Sequence, residues 1–148
     1  MSTAWDWVAG EPYGEVGHEL RLLGARCRAC ALTTYPGQRG CPRCGTETME
    51  RRVLANHGTL WSYTVQYFPP KASEGGPRDP ADFQPYGVGY IQLEDDVIVE
   101  ARLTENNPAA LEIGMAMQLV TPPTRLRDDR AVIGSLRFRP LTYGEELP

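Results

Sequence analysis

The sequence predicts a mainly β protein in which a metal-stapled ribbon precedes a small closed barrel. First, four cysteines stand as two close pairs, Cys27 with Cys30 and Cys41 with Cys44. Second, several later segments alternate apolar and polar residues, the pattern of half-buried strands. Third, the 148 residues include 15 Gly and 13 Pro, which favour turns and short strands over long helices. This length suits one ordinary domain, or a small domain with a metal-bound appendage.

The N-terminal segment, residues 1–26, is predicted to contain a short helix. Val16, Leu20 and Leu23 recur at helical spacing within residues 15–23, enough for about two turns. A helix of that length is not stable alone, so we expect the segment to dock on a larger body.

Two tryptophans near the start of this segment, Trp5 and Trp7, need a surface to cover them. One interpretation packs them on the protein's own barrel. The other places them on a partner, because aromatic residues are enriched in buried interface cores. The sequence leaves both interpretations open.

The cysteine region, residues 27–52, has the spacing of a four-thiolate metal ribbon. Two cysteines separated by two residues on a tight turn present their sulfurs to one side of an ion, and two such turns complete a tetrahedron. Four thiolates leave no open coordination position, so the ion is expected to be structural zinc, with iron of the rubredoxin type as the alternative. Gly45 lets the chain leave the second turn, whereas Ala31 stands where many ribbons have glycine.

The ribbon is basic, although the chain as a whole carries a formal charge of -4. Residues 21–52 hold seven arginines and two glutamates, a net +5, which leaves -9 for the remainder. Such a ribbon either meets phosphates or an acidic protein surface, or is only a solvated arginine-rich face. Arg28, Arg39 and Arg43 are its candidates for contact with a phosphate-bearing cofactor or a partner.

The residues after the ribbon, 53–140, are predicted to form five strands and one short helix. The alternation is strongest in GTLWSYTVQYF, which opens the series. That order fits the five-stranded Greek-key barrel called the OB-fold better than a sandwich of about seven strands. We expect strands at residues 57–68, 86–94, 97–103, 115–121 and 132–140, a helix at 105–113 and a tail at 141–148.

Local signals accompany these elements. Gly87 and Gly89 indicate a bend in the second strand, as a small closed barrel needs at its corners. A short acidic turn at residues 95–96 joins that strand to the next. Asn107 is a possible cap of the short helix and Pro108 its first residue.

A long loop, residues 69–85, separates the first two barrel strands and has no periodic pattern. Loops of this length inside a compact domain are usually functional or mobile, so this one is a candidate lid or docking loop, with plain disorder as the alternative. Phe83, a lone large apolar residue in it, is expected to become buried on binding.

No catalytic residue is predicted. Covalent acyl transfer needs a nucleophile and a positioned base, and all four cysteines of the chain belong to the two pairs. His18 and His57 are expected to have surface or structural roles. The sequence shows no glycine-rich phosphate loop, nucleophile elbow or paired-carboxylate motif.

The start of the chain lacks the basic and apolar regions of a signal peptide, and no apolar run reaches the length of a membrane span. The sequence therefore predicts a cytoplasmic protein. In a reducing compartment, paired cysteines are more often metal ligands than disulfides.

Several segments together resemble a known family: CRAC, YPGQRGCPRCG, GTLWSYTV, PYGVGYIQLE and IGM. The chain is similar, from about residue 20 to residue 140, to the zinc-ribbon plus OB-fold proteins that accompany thiolase-like enzymes of acyl-CoA thioesters. The resemblance implies a rubredoxin-like zinc ribbon followed by an OB-fold barrel. It also implies a non-catalytic accessory subunit in a hetero-oligomer, built around a dimer of a thiolase-like partner.

In that family the partner supplies the catalytic residues and binds most of the coenzyme A thioester. The partners implied are an aryl-succinyl-CoA thiolase, the aldolase of steroid side-chain degradation, and an archaeal acetoacetyl-CoA thiolase. The arginine-rich, lysine-poor composition mildly favours a bacterial degrader, and the aryl-succinyl thiolase is preferred narrowly over the aldolase. The resemblance further suggests that the N-terminal segment and the ribbon dock on the partner, with the barrel near the coenzyme A entrance.

A hypothesis of another class is a single-stranded nucleic-acid-binding module, because OB barrels and zinc ribbons also serve that purpose. Such a module needs aromatic residues on a basic barrel face, whereas the chain outside the ribbon is acidic. We therefore expect no nucleic-acid partner and no membrane partner.

Overall fold

The computed structural model describes residues 13–16, 19–69, 71, 79–93, 97–120 and 137–141, with side chains from residue 21 onward. By backbone proximity the chain divides into two compact units. The first comprises the described residues up to Gly58 together with those of Gln92–Val99. The second comprises the described residues of Thr59–Ile91 and Glu100–Pro148.

A four-stranded antiparallel sheet carries the ribbon. Its strands are β1 (Tyr13–Val16), β2 (Glu19–Cys27), β3 (Thr33–Thr34) and β4 (Met49–Val53). The long β2 pairs with each of the other three strands. β2 ends at the first cysteine, Cys27, which lies directly opposite Met49 of β4.

The helix predicted for residues 15–23 is wrong. All described residues of that stretch lie in β1 and β2, which pair with each other from Tyr13 with Leu22 to Val16 with Glu19. The helical spacing of three apolar residues is a weak signal. Pairing with the distant β4, where Leu23 faces Val53, satisfies the backbone instead. Residues 1–12, with both N-terminal tryptophans, lie outside the described part.

The five barrel strands close on themselves, as the sequence predicted. They are β5 (His57–Gln66), β6 (Tyr86–Leu93), β7 (Ile98–Leu103), β8 (Ala116–Val120) and β9 (Arg137–Pro140). Around the barrel the order is β5-β6-β7-β9-β8. The last strand therefore inserts between two earlier ones, antiparallel to β8 and parallel to β7. The turn predicted at residues 95–96 and the first part of the predicted fifth strand lie outside the described residues.

The helix predicted at residues 105–113 is a single 3-10 turn, Pro108–Ala110. Its start was predicted correctly, since the Asn107 side chain accepts a hydrogen bond from the Ala109 N–H and Pro108 follows. The turn stops early because Leu111 returns to an extended conformation and is buried. Burial of that one apolar side chain outweighs the weak propensity to continue a helix.

The barrel interior is filled by large apolar side chains from every strand. The most buried include Leu60, Ile91, Leu103, Met117 and Phe138, each at most 4% exposed. Each contributes about 1.5–3 kcal/mol to folding relative to full exposure.

Two glycines of β6 face this core, and they are where the sequence predicted a bend. A Cβ at Gly87 would overlap the backbone oxygen of Glu105, and one at Gly89 would lie 2.9 Å from Leu103 Cδ2 and 3.0 Å from Leu60 Cδ1. They are glycines because β6 passes this close to its neighbours.

Within the described residues, no helix has the length and apolar character needed to span a bilayer.

Candidate metal centre

The four cysteine sulfurs converge at one end of the ribbon sheet. All four Sγ atoms lie within 4.8 Å of one another. Cys27 Sγ is 3.6 Å from Cys44 Sγ, and Cys30 Sγ is 3.5 Å from Cys41 Sγ. A disulfide would need about 2.0 Å, and all four cysteines are free thiols. Each sulfur of one pair thus faces a sulfur of the other.

This spacing fits a tetrahedral ion. Zinc binds thiolate sulfur at about 2.3 Å, which sets sulfurs at the corners of a tetrahedron about 3.8 Å apart. The two Sγ–Sγ distances of 3.6 and 3.5 Å lie close to that value. The donor set is entirely sulfur, the preference of zinc and of iron in structural sites. The residues present therefore fit a structural four-thiolate centre.

The two cysteine turns are built alike. In the first, the Cys27 N–H donates to the Leu32 oxygen at 2.8 Å and the Ala31 N–H donates to the Cys27 oxygen at 2.9 Å. In the second, the Cys41 N–H donates to the Thr46 oxygen and the Gly45 N–H donates to the Cys41 oxygen, both at 2.9 Å. The sheet positions the first turn at the end of β2, and the second turn repeats its geometry.

The residue after each pair adopts a left-handed conformation. Gly45 has φ 74°, and Ala31 has φ 65°. Glycine adopts this conformation without steric cost, whereas alanine pays for its Cβ. The sequence signal at Ala31 therefore marks a strained position and leaves the sulfur geometry intact.

Two threonines, which the sequence analysis did not single out, surround one side of the cluster. Thr48 Oγ1 lies 3.3 Å from Cys27 Sγ, and Thr46 Oγ1 lies 3.0 Å from Cys44 Sγ. The two hydroxyls are 2.8 Å apart. Within the second turn the backbone N–H of Arg43 donates to Cys41 Sγ at 3.4 Å. The spaced hydroxyls of CGTET after the second pair are the signal that could have found them.

These donors act on the thiols directly. The hydrogen bond from Thr48 is the largest cause that lowers the pKa of Cys27 to about 5. The hydroxyl of Thr46 likewise lowers the pKa of Cys44. At Cys30 a backbone hydrogen bond from Leu32 lowers the pKa, but burial and the neighbouring sulfurs outweigh it and raise the pKa to about 11. Without a cation, deprotonation of one thiol therefore disfavours deprotonation of its neighbours. A divalent ion removes this repulsion between the thiolates.

Burial holds part of the cluster in place. Cys27 and Cys41 are buried with Ala25 and Met49, and Cys30 and Leu32 pack against that group. Cys44 is exposed. The centre therefore sits at the surface of the ribbon, with one side in the core and one side toward solvent.

The other predicted contact residues lie in separate places. Arg28 forms an ion pair with Glu50 at 3.4 Å and Arg39 with Glu47 at 3.4 Å, all on the ribbon surface. Arg43 is exposed and contributes its backbone to the centre. Phe83 is half-buried, with its ring 6.2 Å from that of Tyr86.

Two family models match consecutive parts of the chain. Residues 16–50 match the sequence model described as the ChsH2 rubredoxin-like zinc ribbon domain. Residues 51–121 match the model of the ChsH2 C-terminal OB-fold domain. The chain belongs to the ChsH2-type zinc-ribbon and OB-fold family. The family resemblance is thereby confirmed, as is the predicted fold of a zinc ribbon followed by a five-stranded barrel.

Similar family members carry names of scaffold proteins and enzyme subunits. A DUF35 domain-containing scaffold protein of Pyrococcus furiosus is 29% identical over 128 residues, 86% of this chain and 88% of the relative. The benzoylsuccinyl-CoA thiolase subunit BbsA of Thauera aromatica is 27% identical over 123 residues, 83% of this chain and 78% of the relative. A solved structure named Ltp2-ChsH2(DUF35) aldolase superposes with a TM-score of 0.61 at 28% identity, covering 81% of this chain and 84% of that one.

Proposed function

We propose that this ChsH2-type protein is a non-catalytic accessory subunit of a thiolase-like acyl-CoA enzyme. The supporting observation is the joint match of ribbon and barrel to family models, together with relatives that include scaffold proteins, a thiolase subunit and an aldolase. All four cysteines of the chain lie in one cluster suited to a structural ion. None is then left to act as the nucleophile of a thiolase-type reaction.

In this proposal Cys27, Cys30, Cys41 and Cys44 hold one zinc ion. The ion neutralises crowded thiolates and ties the two turns to β2, and it supplies no open position for substrate. The partner, assembled around its own dimer, binds most of the coenzyme A thioester and carries out carbon–carbon bond cleavage or formation on a β-ketoacyl-CoA or similar thioester.

The partner contacts are proposed for the N-terminal segment with Trp5 and Trp7, and for Arg28, Arg39 and Arg43. Surface ion pairs of the kind that Arg28 and Arg39 form are worth about 0–1 kcal/mol. Their arginines can therefore exchange a local glutamate for a partner's acidic group at little cost. An aryl-succinyl-CoA thiolase is the partner proposed first and the steroid side-chain aldolase second.

Co-expression with a thiolase-like protein from the same organism tests the proposal. We expect the two chains to co-purify, and the partner to lose soluble yield and thioester cleavage when this chain is omitted or carries Cys41→Ala. Gly40→Ala is the matched control, because an added Cβ there meets no atom within 4 Å. A partner that is fully active and soluble alone would contradict the proposal, as would acyl-CoA turnover by the isolated chain.

One observation favours a second candidate, single-stranded nucleic-acid binding. Trp61 and Tyr90 are 55% and 43% exposed on the barrel, with their rings 6.4 Å apart in an edge arrangement. Exposed aromatic rings are platforms on which bases stack. A salt-sensitive gel shift with single-stranded DNA or RNA, lost in Trp61→Ala, would support this candidate, and no shift at low salt would remove it.

A further inference from the structure

We propose that the barrel carries a binding site for a phosphate-type oxyanion, formed by Arg102 and Arg137 beside the aromatic pair of Tyr86 and Phe83. Neither arginine was singled out by the sequence. The site is separate from the metal centre, and it does not depend on the proposed accessory role, since the isolated chain can be tested for it.

The sheet register brings the two arginines together. Arg102 of β7 and Arg137 of β9 are direct partners in the parallel pair, as are the following residues Leu103 and Phe138. Leu103 and Phe138 are 4% and 0% exposed and point into the barrel. Because side chains alternate along a strand, Arg102 and Arg137 both leave the opposite, outer face. Adjacent strands lie about 4.8 Å apart, so the two side chains leave the backbone at neighbouring positions, and a ligand with several acceptor oxygens is long enough to span them.

The Arg102 guanidinium is held in place but keeps its hydrogen-bonding edge available. Its Cζ lies 4.0 Å from the centroid of the Tyr86 ring, a cation–π contact. Stacking uses the face of the guanidinium plane, whereas its N–H groups donate within that plane. Phe83 packs edge-on to the same tyrosine at 6.2 Å and supports the ring from the side.

Arg137 has unmet hydrogen-bonding capacity. Its Nε atom is buried and, within the described residues, has no hydrogen-bond partner. A buried donor without an acceptor is costly, so this guanidinium is not stabilised by the described part of the chain at its Nε atom. Glu100 shares the outer face of β7, two residues before Arg102, yet forms no ion pair with either arginine in the described part of the chain.

The chemistry of this pair favours phosphate over a single carboxylate. The two arginines place two positive charges at neighbouring positions of one outer face. A group with about two negative charges and several acceptor oxygens can neutralise both charges and accept hydrogen bonds from both guanidinium groups. The neighbouring aromatic rings offer an apolar surface for a planar group on the same ligand. A phosphate ester or diphosphate attached to a ring, as in a nucleotide, combines both features.

Titration calorimetry of the full zinc-loaded chain at low salt tests the site, with ADP, inorganic pyrophosphate and adenosine as probes. We expect ADP and pyrophosphate to bind and adenosine to bind far more weakly. Arg102→Gln and Arg137→Gln should each weaken both phosphate probes by roughly tenfold or more. Arg26→Gln is the matched control, because it removes one exposed positive charge from β2 and should leave both affinities unchanged.

Thermal unfolding of each variant separates loss of the site from loss of the fold. Arg137→Gln should not lower the melting temperature, since it removes a buried donor without a partner in the described structure. Should a glutamine variant fail to fold, Arg137→Lys replaces it. We expect this variant to bind phosphate more weakly, because an ammonium group cannot donate the two parallel hydrogen bonds of a guanidinium. Absence of binding at millimolar probe, equal affinity in all variants, or binding of an acidic peptide in place of both phosphate probes would overturn the proposal.

Discussion

The residues after the two cysteine pairs, Ala31 and Gly45, are both left-handed. Adding a methyl group at one and removing it from the other should change the stability of the ribbon in opposite directions. Gly45→Ala should weaken the ribbon by about 1 kcal/mol, because alanine at φ 74° is strained although its Cβ would meet no atom. Ala31→Gly should strengthen it by a few tenths of a kcal/mol to about 1 kcal/mol, since glycine relieves strain but adds freedom to the unfolded chain.

Zinc affinity measured by chelator competition reports both changes, because binding and folding of such ribbons are coupled. Gly40→Ala serves as the control, since its Cβ would also lie in open space and its backbone is not left-handed. Equal effects of Gly40→Ala and Gly45→Ala would show that backbone conformation is not the cause.

The threonine hydroxyl beside Cys27 is predicted to tune the metal centre. Thr48→Val keeps the shape of the side chain but removes the donor 3.3 Å from the sulfur. Loss of such an outer hydrogen bond typically costs about 10–100-fold in metal affinity. Thr64→Val on an exposed position of β5 is the control. Metal release to a chromogenic chelator should be faster only in Thr48→Val, and identical rates in both variants would rule out this role.

Among the strands, β6 contains two positions, Gly87 and Gly89, at which the fold leaves little room for a side chain. Gly87→Ala would force a Cβ against the backbone oxygen of Glu105, which cannot move without shifting the chain. We expect a loss of about 1–3 kcal/mol in the free energy of unfolding, in the range of overpacked cores. Gly89→Ala meets the ends of leucine side chains instead and should cost less. Chemical denaturation of both variants measures the difference, and a larger loss for Gly89→Ala would contradict the argument.

Elements with strong local signals were predictable from the sequence. The alternation in β5 and the apolar run of β6 are properties of neighbouring residues, as is the Asn107-Pro108 start of the 3-10 turn. The spacing of the paired cysteines is likewise a local signal, and it predicts a metal site without further information.

Features that depend on distant pairing were not predictable. The apolar spacing of residues 15–23 indicates a helix, yet β2 forms there because it pairs with β4, which lies far along the chain. The Arg102–Arg137 pair follows only from the parallel register of β7 and β9. No local pattern shows which residues of two separate strands will stand opposite each other.

At the scale of the whole molecule, metal removal should affect the two compact units unequally. The core around the sulfurs contains two of the four cysteines, Cys27 and Cys41, together with Ala25 and Met49. Removing the ion breaks the link between the two cysteine turns and leaves four closely spaced thiols, so the ribbon should unfold. Leu60 and Phe138 of the barrel core lie in the second unit, which contains no cysteine.

Amide hydrogen exchange before and after chelation measures this prediction. Protection should fall in β2, β3 and β4 and persist in β5, β8 and β9. Re-adding zinc should restore protection in the ribbon strands. Equal loss of protection in both units would show that the ion supports the entire fold.

The insertion of β9 between β7 and β8 dictates an order of assembly during translation. The ribbon is complete once its fourth strand has left the ribosome, so it can capture an ion while most of the protein is still unmade. The gap between β7 and β8 stays open until residues 137–140 emerge. A nascent chain paused before that point presents two unpaired strand edges, at which another chain can pair and aggregate.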